Sequence, residues 1–277
     1  MRFNYAFLFF CNMGMIDKQT EFLFAHLQDM ADDAEKGIFR ASGFFSPAEL
    51  VHVRRWIASS GCTGAHVHGG YSNAERARVY FLPDYMTAED TECITQTLSD
   101  YGYDDPTVIL RIEGSGFREL THRDFMGSVL SLGIERSVVG DIVADGKFAA
   151  YMFCDRTIAP FVCENLTKIA NDAARVSEAC LPGGNFGERE YREIRDTVAS
   201  LRLDAVVASA CNLSREGAKR AVTGGLCELN HEQTDSPDAE VSVGDVFSVR
   251  GYGKFRLASL GGENSRGRLR ICIHKYV

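Results

Sequence analysis

Two short helical segments between residues 200 and 223 place the strongest constraint on how this chain folds. Apolar side chains recur at helical spacing in the first segment, and the predicted buried positions are Leu203, Val206, Val207 and Ala210. Ser214 is a favourable N-cap for the second segment. The predicted inward positions of that second helix are Ala218, Ala221 and Val222. The pattern therefore predicts two consecutive helices that pack on a common core.

The cations of this region lie on the exposed parts of the two predicted helices. Arg202 stands at the beginning of the first helix. Arg215 and Lys219 are four residues apart and share one face of the second helix, with Arg220 beside them. Taken alone, such a pattern is more often a solvated surface than a binding site. The two helices nevertheless form a cationic corner that a polyanion could contact.

Short apolar runs after Gly224-Gly225 predict strands and tight turns. They comprise Leu226–Leu229, a turn at Asn230-His231, the pair Val241 and Val243, a turn at Gly244-Asp245, and Val246–Arg250. The tail alternates strictly, with Leu269, Ile271 and Ile273 on one face and Arg268 and Arg270 on the other. This alternation fits either an edge strand protected by cations or a strand whose cations contact a nucleic acid.

The amino-terminal part is predicted to be a helical unit over residues 16–77. One helix runs from about Asp17 to Glu35 and stops at Gly37. The next begins at Ser46-Pro47-Ala48-Glu49, which supplies an N-cap, a proline at the first helical position and a carboxylate that reaches back. Gly61 ends this second helix, and the Gly69-Gly70 turn closes the unit.

Residues 78–180 alternate between short apolar runs and capped helices, which predicts a small mixed α/β domain. The predicted strands are Val79–Leu82, Val108–Ile112, Ile142-Val143 and Phe148–Cys154, the last two joined by an Asp145-Gly146 turn. Two predicted helices begin at Thr87 and Thr121, and a third runs over about Ala159–Ala170. A sheet with helices on one face, as in RRM-like domains, accommodates this order, although the usual aromatic RNA-stacking signature is absent.

A linker is predicted over residues 181–199, ahead of the last domain at 200–277. The segment Pro182–Asn185 indicates a turn, and the charged stretch Glu188–Asp196 predicts a helical linker.

The net charge of −8 is unevenly distributed. Residues 1–199 hold 19 Lys and Arg against 29 Asp and Glu, a net charge of −10, whereas residues 200–277 hold 11 against 9, a net charge of +2. A polyanion would therefore bind the last quarter of the chain. The length of 277 residues and the 45% hydrophobic content are typical of two or three globular domains, and exclude a disordered or low-complexity chain.

The nine cysteines are scattered and form no Cys-x-x-Cys pair. This spacing predicts free thiols in a reducing cytoplasm and does not indicate a zinc site. The apolar run Tyr5–Cys11 is too short for a membrane span, which takes about 20 residues. Because Met13 and Met15 follow it, we expect residues 1–15 to be an extension ahead of an internal start.

The order helix, helix, hairpin, opened by Arg202-Leu203-Asp204, closely resembles the S-four type RNA-binding domain, or alpha-L motif. The resemblance implies that the two helices and the following loop lie against phosphates of structured RNA. It assigns contacts with the RNA backbone to Arg202, Ser214, Arg215, Lys219 and Arg220. Asp204 is included as the residue that orients Arg202 or caps the helix. Further RNA-binding candidates are Asn230, Arg250, Lys254, Arg268 and Arg270.

Further segments, most of them outside that domain, resemble the bacterial YlmH family. They are Gly69–Arg78 (GGYSNAERAR), His122–Gly127 (HRDFMG), Leu132–Arg136 (LGIER), Gly140–Ile142 (GDI), Arg250–Phe255 (RGYGKF) and Gly261–Glu263 (GGE). The segments follow the family order over roughly residues 45–276, which makes the resemblance more specific than that of the last domain alone.

The family resemblance implies an α+β chain with a helical N-terminal unit, a small mixed α/β central domain and a C-terminal S-four type domain. It implies a cytoplasmic, non-enzymatic factor that binds ribosomal RNA and tRNA on the large ribosomal subunit, in quality control of stalled translation. An association with cell division is also attached to the family. The expectation includes no catalytic residue, metal, cofactor, membrane or small-molecule substrate.

An RNA-modifying enzyme is the alternative, because pseudouridine synthases often carry the same RNA-binding domain and one class has its catalytic aspartate in an HRLD sequence. Here the order is His122-Arg123-Asp124-Phe125, so the aspartate is displaced. Asp124 also falls three residues after the predicted N-cap Thr121, where a carboxylate meets a helix N-terminus favourably. The His66 and His68 pair, without a third ligand, is more typical of a loop than of a metal site.

Overall fold

The computed structural model describes residues 18–88, 94–181, 186–187 and 191–276. The chain divides into two compact units, residues 1–187 and residues 188–277. The predicted extension over residues 1–15 and the predicted turn Pro182–Asn185 lie outside the described residues. Within the described part, no helix combines the length and apolar character that crossing a membrane requires.

The first unit begins with two helices that pack on a small sheet. The helices are α1 (Lys18–Glu35) and α2 (Pro47–Ser60), and the strands are β1 (Arg40–Ala41), β2 (Ala65–His68) and β3 (Arg78–Phe81). The capping box between Ser46 and Glu49 starts α2, and Gly61 ends it, as predicted. The sheet order β1-β3-β2 was not predicted. Its middle strand β3, expected to open the central sheet, instead pairs with β1 and β2.

The rest of the first unit is a second, larger sheet with short helices. Its elements are α3 (Ile94–Asp100), β4 (Thr107–Gly114), α4 (His122–Leu130), β5 (Val139–Asp145), β6 (Ala149–Asp155), α5 (Ala159–Asn165), β7 (Lys168–Ile169) and β8 (Asp172–Glu178). The strand order is β5-β6-β4-β8-β7, with antiparallel pairing throughout. The predicted hairpin β5–β6 is confirmed, and Gly146 in its turn has a positive φ of 68°, which glycine tolerates without strain.

The prediction of a helix up to Ala170 was wrong beyond Asn165. Residues 168–178 form β7 and β8, a short hairpin that the sequence pattern did not reveal. Ala170, with φ at +51°, lies in the turn between the two strands, a conformation that a continuing helix excludes.

Helices cover one face of this larger sheet, and aromatic rings cover part of the other. Leu110 and Ile112 of β4 pack with Phe125 of α4 and Val162 of α5. On the opposite face Phe153 stacks under Tyr71, with ring centroids 4.8 Å apart. Phe186 contacts the rings of Tyr71, Tyr151 and Phe153. Tyr71 approaches this closely because Gly70 has no side chain: a Cβ there would lie 2.4 Å from the Phe153 ring.

The second unit is one six-stranded antiparallel sheet with two helices. Its elements are β9 (Tyr191–Val198), α6 (Leu203–Cys211), α7 (Arg215–Thr223), β10 (Cys227–Leu229), β11 (Glu232–Thr234), β12 (Val246–Val249), β13 (Gly253–Glu263) and β14 (Leu269–Tyr276). The strand order is β11-β10-β12-β13-β14-β9. Val206, Val207 and Val222 of the helices pack in one core with Ile271 and Ile273 of β14, as the periodicity predicted.

The prediction of a helical linker was wrong where the structure describes that segment. Residues 191–198 form β9, which pairs with β14 along its whole length of 8 residues. The tail strand β14 is therefore not an edge strand, because β9 lies outside it. Four of the eight residues of β9 are charged, so its strand conformation depends on the main-chain ladder with β14 rather than on an apolar pattern of its own.

Candidate nucleic-acid interface

A buried carboxylate organises the beginning of α6. Asp204 lies in the first turn of this helix, and its side chain is only 6% exposed. Arg215, at the start of α7, donates two hydrogen bonds to it: Nε to Oδ2 at 2.8 Å and Nη2 to Oδ1 at 3.0 Å. Arg202 donates from Nε to Oδ1 at 3.5 Å. One buried acid thus holds two arginines from the starts of two helices.

The Asp204 carboxylate is charged at neutral pH. Burial by itself raises the pKa of Asp204, but the hydrogen bonds and charges of Arg215 and Arg202 outweigh that effect and bring the pKa below its usual range. The two guanidinium groups remain about half exposed, at 48% for Arg202 and 50% for Arg215. The cluster therefore carries one more positive charge than negative, and it presents those positive charges to solvent.

The start of α7 adds a helix N-terminus to these cations. The Ser214 hydroxyl accepts a hydrogen bond from the Gly217 main-chain N–H at 3.1 Å, which confirms it as the N-cap. Lys219 lies one turn beyond Arg215, with Arg220 next to it, and both are exposed. The partial positive charge of the helix N-terminus and the nearby cations favour an anion in the same place. The structure therefore brings together Arg202, Asp204, Ser214 and Arg215, with Lys219 one turn away.

The side chain of Asn230 makes hydrogen bonds that hold its own turn in place. Its side-chain Nδ2 donates to Asp245 Oδ1 at 2.9 Å, and its Oδ1 accepts from the Val246 main-chain N–H at 3.1 Å. Its φ of +50° places it in the left-handed region that asparagine tolerates better than most residues. Both ends of the carboxamide thus join the β10–β11 turn to the start of β12.

The remaining candidates do not join the arginine cluster. Side chains alternate between the two faces of a strand, and Ile271, Ile273, Phe255 and Leu257 face the helices. Lys254 and Arg270 therefore point to the outer face of the sheet, away from α6 and α7. Arg268 donates from Nε to Thr197 Oγ1 at 3.2 Å and also to the Thr197 main-chain oxygen. Arg250 is exposed in the turn after β12.

Two further cations, which the sequence analysis did not name, lie on the outer face and outside the arginine cluster. Arg256 alternates with Phe255 and Leu257 on β13, and Arg195 lies on β9 opposite Cys272. The alternation of charged and apolar residues in 254–257 is the signal that could have identified Arg256. Arg195 had no such signal, because its segment was predicted to be a helix.

Asp124 takes the capping position that the sequence analysis predicted. Its carboxylate accepts from the Thr121 main-chain N–H at 2.9 Å and from the Thr121 hydroxyl at 2.7 Å. Arg118 donates to the other carboxylate oxygen at 2.9 Å. These contacts, with the hydrogen bonds from Thr121 first, lower the pKa of Asp124. His66 and His68 lie on strand β2 and not in a loop, and burial lowers the pKa of His66.

Comparison with known proteins gives matches to both parts of the chain. Residues 106–181, which contain β4 to β8, match the family described as "Putative RNA-binding domain in YlmH". The "Ribosome-associated protein quality control protein P2" of Bacillus subtilis (strain 168) is 28% identical over 236 residues, covering 85% of this chain and 87% of that protein. The solved "Cell division protein ylmH from Streptococcus pneumoniae" is 19% identical, with a TM-score of 0.44, over 59% of this chain and 91% of that one.

The family match lies in the central sheet, whereas the similarity to the Bacillus subtilis protein extends over most of the chain. The motifs that suggested the family are distributed over both structural units. These matches support the resemblance to the YlmH family that the motifs indicated.

Proposed function

We propose that this protein is a cytoplasmic, non-enzymatic factor that binds structured RNA. Its RNA partners are ribosomal RNA and tRNA on the large ribosomal subunit, and its process is the quality control of stalled translation. The observation that carries the proposal is the pair of half-exposed arginines held by buried Asp204. The name of the Bacillus subtilis relative supports the choice of process.

The arginine pair is suited to binding RNA phosphate because Asp204 fixes the orientation of the guanidinium groups before any RNA binds. Asp204 engages one edge of the Arg215 guanidinium and leaves the group half exposed. A guanidinium binds phosphate through paired N–H donors, and a held side chain loses less rotamer freedom on binding than a free one. The exposed cations Lys219 and Arg220 extend this positive surface along α7. An RNA backbone, with regularly spaced phosphates, meets several of these groups together.

The architecture of the second unit supports an S-four type domain. Two consecutive helices, α6 and α7, are followed by the β10–β11 hairpin. The arginine cluster stands at the beginnings of both helices, where the resemblance places RNA contacts. We therefore assign the main RNA-phosphate contacts to Arg202, Arg215, Lys219 and Arg220. Asp204 and Ser214 position this surface.

The central sheet supports an RRM-like assignment for residues 106–181. Its elements follow the order β4-α4-β5-β6-α5-β8, and the strand order β5-β6-β4-β8 is that of a β-α-β-β-α-β fold. RRM domains stack RNA bases on the face away from the helices. Here Phe153 on that face is fully buried and Tyr151 is 7% exposed. For this reason we place the phosphate contacts in the second unit and not on this face.

The proposed interface can be tested with purified large ribosomal subunits and the full chain. Arg215→Ala and Arg202→Ala each remove one phosphate contact, so each is expected to weaken binding and to make the log-log salt dependence shallower by about one unit. Co-sedimentation across a salt series measures both effects. Arg256→Ala, on the outer face of the same sheet, is the matched control, and Glu228→Ala is the control for loss of an acid. Binding by both cluster variants equal to the parent's at every salt concentration would refute this interface.

A further inference from the structure

Three potential metal ligands meet on the outer face of the second unit. They are Glu193 on β9 and Cys272 and His274 on β14. His274 is directly opposite Glu193 in the antiparallel register, and Cys272 lies two residues before His274 on the same face. The sheet register therefore brings the carboxylate of Glu193 next to a thiol and an imidazole that lie far from it in the sequence.

The distances between the ligand atoms are close to those of a metal site. One ligand atom from each residue lies within 4.8 Å of the others, and Glu193 Oε1 is 3.9 Å from His274 Nε2. Around a tetrahedral zinc ion, with bonds of about 2.0–2.3 Å, neighbouring ligand atoms are roughly 3.3–3.7 Å apart. Side-chain rotations alone can close the remaining difference, because all three residues are at least partly exposed.

The imidazole of His274 is held in position by a neighbouring ring. The rings of Tyr191 and His274 stack with centroids 3.7 Å apart and an interplanar angle of 10°. Tyr191 lies on β9, two residues before Glu193, so the same strand supplies the carboxylate and the ring that orients the histidine. Such support around a ligand favours metal binding, because an imidazole that is already oriented loses less conformational freedom when the metal binds.

Arg195 lies beside the carboxylate of Glu193. It donates from Nε and Nη2 to Glu193 Oε2, at 3.1 and 2.7 Å, which leaves Oε1 on the side of His274. Its side chain is 78% exposed, so a guanidinium displaced from the carboxylate would enter solvent. An exposed ion pair of this kind contributes little to stability, so a divalent cation can compete with it.

We propose that Glu193, Cys272 and His274 form a binding site for a borderline divalent metal ion, with Zn²⁺ as the best fit. A thiolate and an imidazole select such metals over Mg²⁺ and Ca²⁺, which prefer oxygen ligands. Three protein ligands leave a fourth position for water. Binding releases the thiol proton of Cys272 to solvent and displaces Arg195 from Glu193. The bound ion would tie β9 to β14.

The test uses the reduced full chain and Zn²⁺ in competition with a chromophoric chelator. We expect one Zn²⁺ per chain at this site. Cys272→Ser and His274→Phe should each weaken binding by about tenfold or more, and the phenylalanine retains a ring against Tyr191. Arg195→Ala should tighten binding, because the competing guanidinium is gone.

Two exposed residues elsewhere provide matched controls. Cys180→Ser and His26→Gln remove a thiol and an imidazole outside the cluster and should leave the affinity unchanged. Co²⁺ provides an independent readout, because a thiolate-to-cobalt absorption band should appear in the parent and vanish in Cys272→Ser. Circular dichroism checks that each variant is folded. Zn²⁺ affinity that is unchanged in folded Cys272→Ser and His274→Phe, or unchanged by Arg195→Ala, would overturn the proposal.

Discussion

Two pairs of arginines, one in each structural unit, differ in their exposure to solvent. In the first unit, Arg76 is 7% exposed and Arg78 is 2% exposed. In the second unit, the side chains of Arg202 and Arg215 are about half exposed. Arg76 and Arg78 lie in a segment that resembles the YlmH family, and Arg202 and Arg215 lie in one that resembles the S-four type domain. Nothing in the residue types alone distinguishes the two pairs.

The buried pair joins segments within the first unit. Arg78 donates to the Ser42 and Pro106 carbonyl oxygens, at 2.7 and 2.9 Å, and to the Asp155 carboxylate at 2.6 Å. Arg76 donates to the carbonyl oxygens of three residues, Phe44, Arg136 and Val139. Burial lowers the pKa of Arg76, but a guanidinium remains protonated in proteins. These arginines hold the small N-terminal sheet segment to the central sheet.

The difference shows that the position of the hydrogen-bond acceptors decides what an arginine does. Where both the guanidinium and its acceptors are buried, the positive charge stabilises contacts between segments of the fold. Where the acid is buried and the guanidinium reaches the surface, as at Asp204, the acid fixes the arginine and leaves its charge for a partner. The variants and the pH series below test what each of these charged and capping side chains does.

The largest effect is expected from Arg78→Ala. It leaves the Asp155 carboxylate and two carbonyl oxygens without their buried donor, so the free energy of unfolding should fall by about 3–5 kcal/mol. Trp56, the only tryptophan in the sequence, is buried in the same unit, and its fluorescence during denaturant unfolding reports the change. Arg175→Ala, at an exposed position on β8, should change stability by about 0.5 kcal/mol or less. Equal effects of the two variants would contradict a structural role for Arg78.

Asp204→Asn should weaken RNA binding without changing its salt dependence. The substitution removes a negative charge, which by itself favours a polyanion, but it also releases Arg215 and Arg202 from their shared acceptor. Because no cation is lost, the log-log salt slope should stay as in the parent, in contrast to Arg215→Ala. Salt-dependent binding to large ribosomal subunits separates the two cases. Tighter binding by Asp204→Asn would show that Asp204 does not position the arginines.

The stability of the second unit should depend on pH through Asp204. Its folded-state pKa is lowered, so its stabilising contribution is present above the unfolded pKa of about 3.9 and is lost as the pH falls through the folded value. The difference in thermal stability between the parent and Asp204→Asn should therefore shrink as the pH falls from 7 to below about 4. Circular dichroism melts at several pH values measure it. A difference that stays constant over this range would exclude a charged Asp204 as the cause.

Ser214 variants separate capping from RNA contact. Ser214→Ala should cost about 1 kcal/mol, because the Gly217 main-chain N–H loses its acceptor. Ser214→Asp should keep the cap, since aspartate is as good an N-cap as serine, but it places a negative charge where we expect phosphate. Thermal melts and ribosome binding should therefore rank the two variants in opposite orders. The proposed interface would be contradicted if Ser214→Asp bound as well as the parent.

The smallest effect concerns Asp124, whose carboxylate caps α4. Thr121→Ala should cost about 1 kcal/mol of stability, because it removes half of the capping box. Asp124→Asn should leave the pseudouridine profile of cellular RNA unchanged, because the carboxylate serves the helix and Arg118. Pseudouridine mapping in cells that carry this variant provides the measurement. Loss of a specific pseudouridine would favour the enzyme alternative.

The sequence by itself determined the features that depend on neighbouring residues. The N-caps Ser46, Thr121 and Ser214 were predicted and confirmed, because a cap joins groups within one helical turn. The β5–β6 hairpin and the buried faces of α6 and α7 followed from local turn chemistry and periodicity. The positions of Arg202 and Arg215 at two helix starts followed in the same way.

Only the tertiary structure decided which charges are buried and which meet. Strands β2, β8 and β9 have weak patterns of their own and form because a partner strand supplies the hydrogen bonds. The burial of Arg78 depends on Asp155, 77 residues away, and the meeting of Glu193 with His274 depends on the register of β9 against β14. Pairing over such distances is fixed by the packing of the whole unit, because each strand's own residues are compatible with several partners and registers.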